Sequence, residues 1–286
     1  MFPCLVRPLP WVFTAPMETH RRHVSLVALA ALLEGACSGA APGGSSVDEG
    51  DARLASVQSA LVQPTGTVSP STVRALADDW QLFEQAAPVF DAVLSVGAPA
   101  AQACLTGATP SGTDADDGTD GDGGGIPASG SYDLSCVTGG KVVGRLAFQL
   151  EPSPEAVSDA GVVQRLDVQL FGACTGGACV NAEAFAAIVP KAPLGCTAAV
   201  TLAVTATVTV AGTSRTFSFG AQGGADRSAL AGITVYFDDE GRSLTVQSGD
   251  GAPPQAPLLV TGASDSFECT LAAAGGRCDG PTSFTY

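Results

Sequence analysis

The stretch 199–219, AVTLAVTATVTVAGTSRTFSF, carries the clearest structural signal in the chain. Between Val200 and Val210 the apolar residues fall on even positions, and threonine occupies most odd ones. Successive side chains of a β-strand leave the backbone on opposite sides, so a period of two predicts a strand with one apolar and one hydroxyl-rich face. After the bend at 211–212 the parity switches, because Phe217 and Phe219 are apolar and odd.

This change of parity predicts a β-hairpin. The apolar side chains of the two segments share one side of an antiparallel pair only if the loop between them has an even number of residues. A two-residue turn, Ala211-Gly212, pairs Val210 with Thr213, and a four-residue loop pairs Val210 with Arg215. Both registers satisfy the pattern, and both describe a scaffold without chemistry of its own.

A second hairpin is predicted around the turn sequence Asp238–Gly241. Val235 and Phe237 are apolar and odd, whereas Leu244 is apolar and even. A four-residue turn therefore pairs Phe237 with Arg242 and Val235 with Leu244.

Further alternating segments extend from Ser131 to the end of the chain. About eight or nine short strands with glycine-rich turns predict a mainly β fold over 131–286, an antiparallel β-sandwich or barrel, preceded by a short two-helix segment. Apart from the two hairpins, the expected strands lie within 142–150, 162–170, 258–261, 267–271 and 283–286, and 182–189 is interpreted as a helical turn.

Residues 47–100 form the predicted helical segment. A first helix follows the capping-box sequence Ser46–Glu49, and a second one starts at 69–70. The second carries an apolar stripe, Val73–Leu94, which is expected to lie on the protein's own sheet, with docking of a partner as the alternative. Pro88 removes a helical hydrogen bond and is expected to split this helix.

The N-terminal part has the pattern of a secretory signal peptide. Basic residues follow Met17, the run Val24–Leu33 is largely apolar, and small residues come next. The apolar run is shorter than the about 20 residues that span a bilayer. Residues 1–36 are therefore interpreted as a signal peptide, with translation starting at Met1 or Met17, and residues 37–46 as a flexible tether.

The segment 33–37, LEGAC, resembles the lipobox of bacterial lipoproteins, in which the cysteine is lipidated and becomes the new N-terminus. The resemblance implies lipidation at Cys37 and an outer-membrane or cell-surface location, with the lipid as the only membrane contact. Cleavage after Ala40 is the alternative, and it gives a periplasmic or extracellular protein.

Cysteine spacing predicts disulfides, because an exported chain meets an oxidising compartment. A zinc–thiolate site is not expected, since the chain has no C-x-x-C pair. The favoured pairs are Cys104–Cys136, Cys174–Cys179 and Cys269–Cys278, which leaves Cys196 as a candidate free thiol, and Cys179–Cys196 is an alternative pair.

Residues 101–130 form a predicted acidic loop rich in glycine and aspartate. Calcium prefers several carboxylate oxygens, but the EF-hand spacing fails here because Thr119 stands where the loop needs glycine. A flexible, self-repelling loop is therefore the favoured interpretation, and no cofactor is expected. The weak calcium candidates are Asp114, Asp116, Asp120 and Asp122.

Composition argues against several classes of function. A net charge of −15 repels nucleic acid and anionic lipid. Both histidines precede residue 37, so the mature chain has no Ser-His-Asp or Cys-His arrangement. The carboxylates Asp238, Asp239 and Glu240 suit a hairpin turn.

These patterns predict an exported, lipid-anchored cell-envelope protein that acts as a non-catalytic binding or structural module, with an envelope protein or polysaccharide as its partner. One alternative is an extracellular glycoside hydrolase, which needs a cleft with two carboxylates about 5–10 Å apart. The other is a subunit of a surface assembly that docks through the Val73–Leu94 helix. An exposed stripe of Trp80, Phe83 and Phe90 would favour that assembly.

Overall fold

A short helical segment precedes one antiparallel sheet. The computed structural model describes residues 47–96, 99–109, 127–158, 161–190, 198–224, 233–248, 257–272 and 275–286. The helices are α1 (Val47–Val62), α2 (Pro70–Gln85), α3 (Ala87–Ser95) and α4 (Leu134–Thr138), and Pro99–Cys104 is a 3-10 helix. The strands are β1 (Leu105–Thr109), β2 (Ser129–Asp133), β3 (Val143–Ser158), β4 (Gly161–Cys174), β5 (Ala178–Pro190), β6 (Ala198–Val210), β7 (Thr213–Gly224), β8 (Ile233–Phe237), β9 (Ser243–Ser248), β10 (Leu258–Thr261), β11 (Ser266–Thr270), β12 (Arg277–Asp279) and β13 (Phe284–Thr285).

The described strands form a 13-stranded sheet in which each strand pairs with its neighbours in sequence, from β1 to β13. The mainly β, antiparallel prediction is confirmed. The strands are more numerous than expected, and β3 to β7 are long, with 12 to 16 residues each. The two ends of the predicted acidic loop also form strands, β1 and β2. Glycine, serine and alanine continue the backbone ladder in such segments without the large apolar residues that mark a strand in sequence.

The β6–β7 hairpin adopts the shorter of its two predicted registers. Val210 pairs with Thr213, and Val204 pairs with Phe219. The φ angles of Ala211 and Gly212 are 49° and 83°. Positive φ at both central residues is typical of a type I′ turn, whose twist matches that of the flanking strands.

The predicted register of the β8–β9 hairpin is wrong by one residue. Phe237 pairs with Ser243, and Tyr236 pairs with Leu244. The amide of Gly241 donates to the carbonyl of Asp238, and the amide of Asp238 donates to the carbonyl of Arg242. Gly241, with a φ of 75°, adds one bulge residue after the turn. This extra residue turns Tyr236, and not Val235, toward the side of Leu244.

The interpretation of 182–189 as a helical turn is also wrong, because this segment lies inside β5. Alanine favours helices in isolation, but β5 has a paired strand on both edges. Ala184 pairs with Val168 of β4 and with Val204 of β6. The long-range ladder therefore overrides the local preference.

The two faces of the sheet carry different layers. Even-numbered apolar side chains of β3 to β6, such as Leu146, Val168, Ala184 and Val204, are buried together with Phe217 and Phe219 under the end of α2 and under α3. On the opposite face, α1 buries Leu54 and Val57 against β5, β6 and β8. The start of α2 covers a further cluster over β8 to β12.

The second predicted helix is split as expected. The Ser69 hydroxyl accepts from the Thr72 amide at the start of α2. The helix ends at Gln85, and α3 begins at Ala87, next to Pro88.

The apolar stripe of α2 and α3 packs on the chain's own sheet. Val73 and Leu76 are buried, and Trp80 is half-buried. The Phe83 ring stacks on Phe90 with 4.3 Å between centroids, and it meets Phe219 edge to face. The stripe is therefore part of the core.

The close approach of α1 to β7 predicts a strong effect of Gly220→Ala. A Cβ at position 220 would collide with the Val57 side chain. We expect the substitution to lower the free energy of unfolding by about 1–3 kcal/mol, measured by urea denaturation. Gly176→Ala, where the added Cβ meets no atom within 4 Å, is the matched control. Equal stabilities of the two variants would contradict this packing.

The β6–β7 turn predicts a stabilising substitution at Ala211, a non-glycine residue with positive φ. Asparagine adopts this backbone region more readily than alanine does. Ala211→Asn should therefore raise the free energy of unfolding by about 0.5–1 kcal/mol. Ala263→Asn, an exposed alanine without positive φ, controls for the change of side chain. A loss of stability at position 211 would argue against the type I′ turn.

Candidate functional site

Some residues singled out in the sequence lie outside the described part of the structure. Lipidation, calcium binding and the state of the leftover cysteine therefore stay predictions. The residues concerned are Cys37, Cys196, Asp114, Asp116, Asp120 and Asp122.

Three disulfides join the other six candidate cysteines. Cys104–Cys136 ties the 3-10 helix to α4, Cys174–Cys179 crosslinks β4 and β5, and Cys269–Cys278 crosslinks β11 and β12. These are the pairs that local spacing favours. Cys179 is paired with Cys174, so the alternative bond to Cys196 does not form.

The acidic cluster of the β8–β9 hairpin builds the turn itself. Asp238 Oδ1 accepts from the amides of Glu240 and Arg242, at 3.0 and 2.8 Å, and Asp238 Oδ2 accepts from Arg242 Nε at 2.8 Å. Partial burial opposes ionisation of Asp238, but these hydrogen bonds outweigh it and hold the pKa of that carboxyl below its usual range. Glu240 also forms a salt bridge with Arg242. This geometry supports the interpretation of these carboxylates as turn residues.

Asp239, which follows Asp238 in the turn, is exposed and makes no salt bridge among the described residues. It faces a cleft of about 670 Å³ between α1, the β6–β7 ladder and the β8–β9 turn. Ligand sites are commonly clefts of about 300–1,000 Å³. The main polar and aromatic residues that line this cleft are Arg53, Ser56, Thr205, Thr216, Ser218, Phe237, Asp238 and Asp239.

Hydroxyl groups form a ladder along the side of β6 and β7 that faces α1. The bonded pairs are Thr205–Ser218 at 3.1 Å, Thr207–Thr216 at 2.7 Å and Thr209–Ser214 at 3.1 Å. At one end of the ladder, Arg53 of α1 donates to Thr205 and forms salt bridges with Glu49 and Glu183. The other end of the ladder is exposed.

One edge of β7 is open beside this cleft. On the side away from β6, strand β8 pairs only with Ser218–Ala221. The preceding residues, Thr213–Phe217, have no paired strand on that side among the described residues. Unpaired backbone groups at a sheet edge are a template for another extended chain. The cleft thus offers hydroxyls, backbone groups and the exposed carboxylate of Asp239.

The cleft does not present the carboxylate pair that a glycosidase needs. Its two lining carboxylates, Asp238 and Asp239, are neighbours in one turn, and Asp238 is held by Arg242. Glycosidase carboxylates flank the scissile bond. The described lining of this cleft therefore favours binding over hydrolysis.

A polar cluster lies between α2, β7 and β8, and it joins the buried Asp79 and Tyr236 to the half-exposed Arg215. The Tyr236 hydroxyl donates to Asp79 Oδ2, and Arg215 forms a salt bridge with Asp79 Oδ1. Asp79 is only 4% exposed. The cluster borders a cavity of about 50 Å³ that is otherwise mainly apolar.

Sequence reasoning missed this cluster. Asp79 lies three residues after Leu76 and beside Trp80, so it sits within the apolar stripe of α2. A carboxylate at such a position needs a buried partner, which is the signal that was available. Tyr236 was not recognised as the partner of Asp79 because the predicted register placed it on the other face of the sheet.

Burial dominates the electrostatics of the cluster. It raises the pKa of Asp79 above the ordinary 3.8, against the opposing effects of the Tyr236 hydrogen bond and the Arg215 charge. Burial also raises the pKa of Tyr236, and the hydrogen bond to Asp79 adds to that effect. Removing charges from water is costly, so Asp79 needs its two partners. Its contacts with Tyr236 and Arg215 join α2 to β8 and β7 and hold the helix on the sheet.

The described residues contain no group of three or more histidine, cysteine, aspartate or glutamate residues placed to hold a metal ion. Nor does any helix in these ranges combine the length and apolar character needed to cross a membrane.

Comparison of the chain with protein-family models, with curated proteins and with solved structures finds no match.

The raised pKa of Asp79 predicts a pH-dependent contribution to stability. The native state holds this proton more tightly than the unfolded chain does, so the contribution is complete below about pH 3.8 and is lost as the pH rises through the native pKa. Compared with Asp79→Asn, the wild type should therefore lose stability as the pH rises above about 3.8, measured by urea denaturation at each pH. Glu84→Gln removes one charge from the same helix at a residue that is not among the causes of the raised Asp79 pKa, and it is the control. A wild type that gains stability relative to Asp79→Asn as the pH rises would contradict the burial effect.

Proposed function

We propose that this chain is an exported cell-envelope protein, anchored by a lipid at Cys37, whose β domain is a non-catalytic binding module. The observation that carries the export part is the set of three disulfides, which pairs every cysteine of the described residues. Such bonds persist in oxidising compartments and are rare in the cytosol of most organisms.

The binding part of the proposal draws on the cleft and on the open edge of β7. The cleft combines a hydroxyl ladder with the exposed carboxylate of Asp239. Sites of this size with a few directed polar groups are typical of binding surfaces. The long paired strands β6 and β7 line one side of the cleft and support it.

Two observations favour this role over the alternatives. The Val73–Leu94 stripe packs on the chain's own sheet, which leaves less of it for docking in a surface assembly. The two lining carboxylates share one turn, which disfavours the hydrolase.

Mass spectrometry of the mature chain from its native envelope tests the export proposal. We expect an N-terminus at Cys37 that carries a diacylglyceryl group, because the 33–37 segment resembles a lipobox. Six cysteines should resist alkylation until they are reduced, and Cys196 should react without reduction. Cys37→Ser should remove the lipid mass and leave the disulfides unchanged.

The export proposal would be contradicted by an unprocessed chain that retains residues 1–36. It would also be contradicted if the six paired cysteines were alkylated without reduction. Cleavage after Ala40 would retain export and reject the lipid anchor.

A further inference from the structure

We propose that the open edge of β7, Thr213–Phe217, binds an extended basic peptide of a partner protein as an additional strand of the sheet. The inference deepens the proposed role as a binding module, on which it rests, by naming the site and the class of partner. Strand addition at a sheet edge is a general mode of peptide recognition, in which main-chain hydrogen bonds supply the affinity.

The backbone geometry directs specific groups toward the open side. In a hairpin with a two-residue turn, the flanking residues Val210 and Thr213 bond to each other, and alternate residues along β7 then bond to β6. The amides and carbonyls of the residues between them, Ser214 and Thr216, point away from β6. Ser218 continues this series and meets β8 at Phe237.

This edge lacks most of the features that usually prevent strand addition. Natural edge strands are protected by prolines, charged side chains, bulges, short length or covering segments. Thr213–Phe217 contains neither proline nor lysine, and its pairing with β6 runs without a bulge. Its one charged residue, Arg215, has a side chain that is 35% exposed and forms a salt bridge with the buried Asp79.

The cleft provides room for the added strand at the end where β8 stops. A strand lies about 4.8 Å from its neighbour in the hydrogen-bonding direction. Thr216, Phe217 and Ser218 line the cleft on one side, and the Asp238–Gly241 turn lines it on the other. An incoming strand would therefore run along β7 and end against this turn.

Charge favours a basic peptide. The cations near the edge already have acidic partners: Arg53 pairs with Glu183, and Arg215 pairs with Asp79. Asp239 forms no salt bridge among the described residues, although its negative charge attracts Arg215 and helps to raise the pKa of that guanidinium. The whole chain carries a net charge of −15. A lysine or arginine at the end of the added strand would reach Asp239 and the negative field around it.

The added strand should alternate two kinds of side chain. Residues that face α1 meet the hydroxyls of Ser214 and Thr216, which already pair with Thr209 and Thr207 across the ladder. Cross-strand pairs of threonine with serine or threonine stabilise a sheet. A threonine-rich, proline-free sequence supplies these hydroxyl pairs, and terminal lysines supply the positive charge near Asp239.

The test is binding of the peptide acetyl-KTVTVTK-amide to the full chain, followed by calorimetry and by amide hydrogen exchange. Thr216→Pro removes the outward amide, and Thr216→Val removes the same hydroxyl but retains that amide. We expect Thr216→Pro to weaken binding by about tenfold or more, and Thr216→Val, which loses one hydroxyl contact but retains the outward amide, to weaken it clearly less. The amides of Ser214 and Thr216 should exchange rapidly in the free chain and become protected by the peptide.

Two further comparisons complete the design. The peptide acetyl-ETVTVTE-amide should bind more weakly than the lysine peptide, because it meets Asp239 with like charge. Where Thr216→Pro fails to fold, judged by circular dichroism, Ser214→Pro and Ser214→Val repeat the comparison at the other outward residue.

Several results would overturn the proposal: no saturable binding by the wild-type chain, equal affinities of the Pro and Val variants, or edge amides that are protected in the free chain. Binding of a neutral oligosaccharide such as maltohexaose at the same cleft, without the lysine peptide, would also overturn it. The export proposal is judged separately, from the mature N-terminus and the cysteine chemistry, so either proposal can fail alone.

Discussion

The pairing of Val204 with Phe219 places two halves of a hairpin on one side of the sheet, and the other layers follow from it. The turn at Ala211-Gly212 sets this register, because its two positive φ angles allow only a two-residue connection. A slip of one residue would turn Val204 and Phe219 to opposite faces. The core under α2 and α3 and the hydroxyl face under α1 both depend on this register.

The next hairpin adds one residue, and its consequences reach the helices. The pairing of Phe219 with Tyr236 places Tyr236 on the side of α2, where its hydroxyl meets Asp79, and it turns Val235 toward α1. The bulge at Gly241 then brings Leu244 of β9 to the same side as Tyr236. β8 thus gives α2 a polar anchor and α1 an apolar one. A buried carboxylate in the α2 stripe is tolerated because these partners are in place.

Neighbouring strands also differ in length at this point, and this difference leaves part of the β7 edge open. β7 is 12 residues long, whereas β8 has five and covers only part of the neighbouring edge. Among the described residues, the step leaves Thr213–Phe217 without a strand on one side, next to the β8–β9 turn. The cleft of mixed polarity lies where the shorter β8 ends beside β7.

The sequence by itself determined the strand character, the faces of β3, β4, β6 and β7, the split at Pro88 and the six cysteines that pair. These are local properties, since alternation, turn residues and short cysteine spacings act over a few neighbouring positions. Prediction from the sequence failed at β5, where the alanines suggested a helical turn. It also failed at the β8–β9 hairpin, where one bulge residue shifted the register and so exchanged the predicted facing of the residues in β8 relative to β9.

The candidate site was decided only by the tertiary structure. The Asp79–Tyr236 contact joins residues 157 positions apart, and the open edge of β7 exists because β8 ends early. Side-chain alternation reports which way a residue points within its own strand. It carries no information about where a neighbouring strand stops, because that depends on pairing between distant segments.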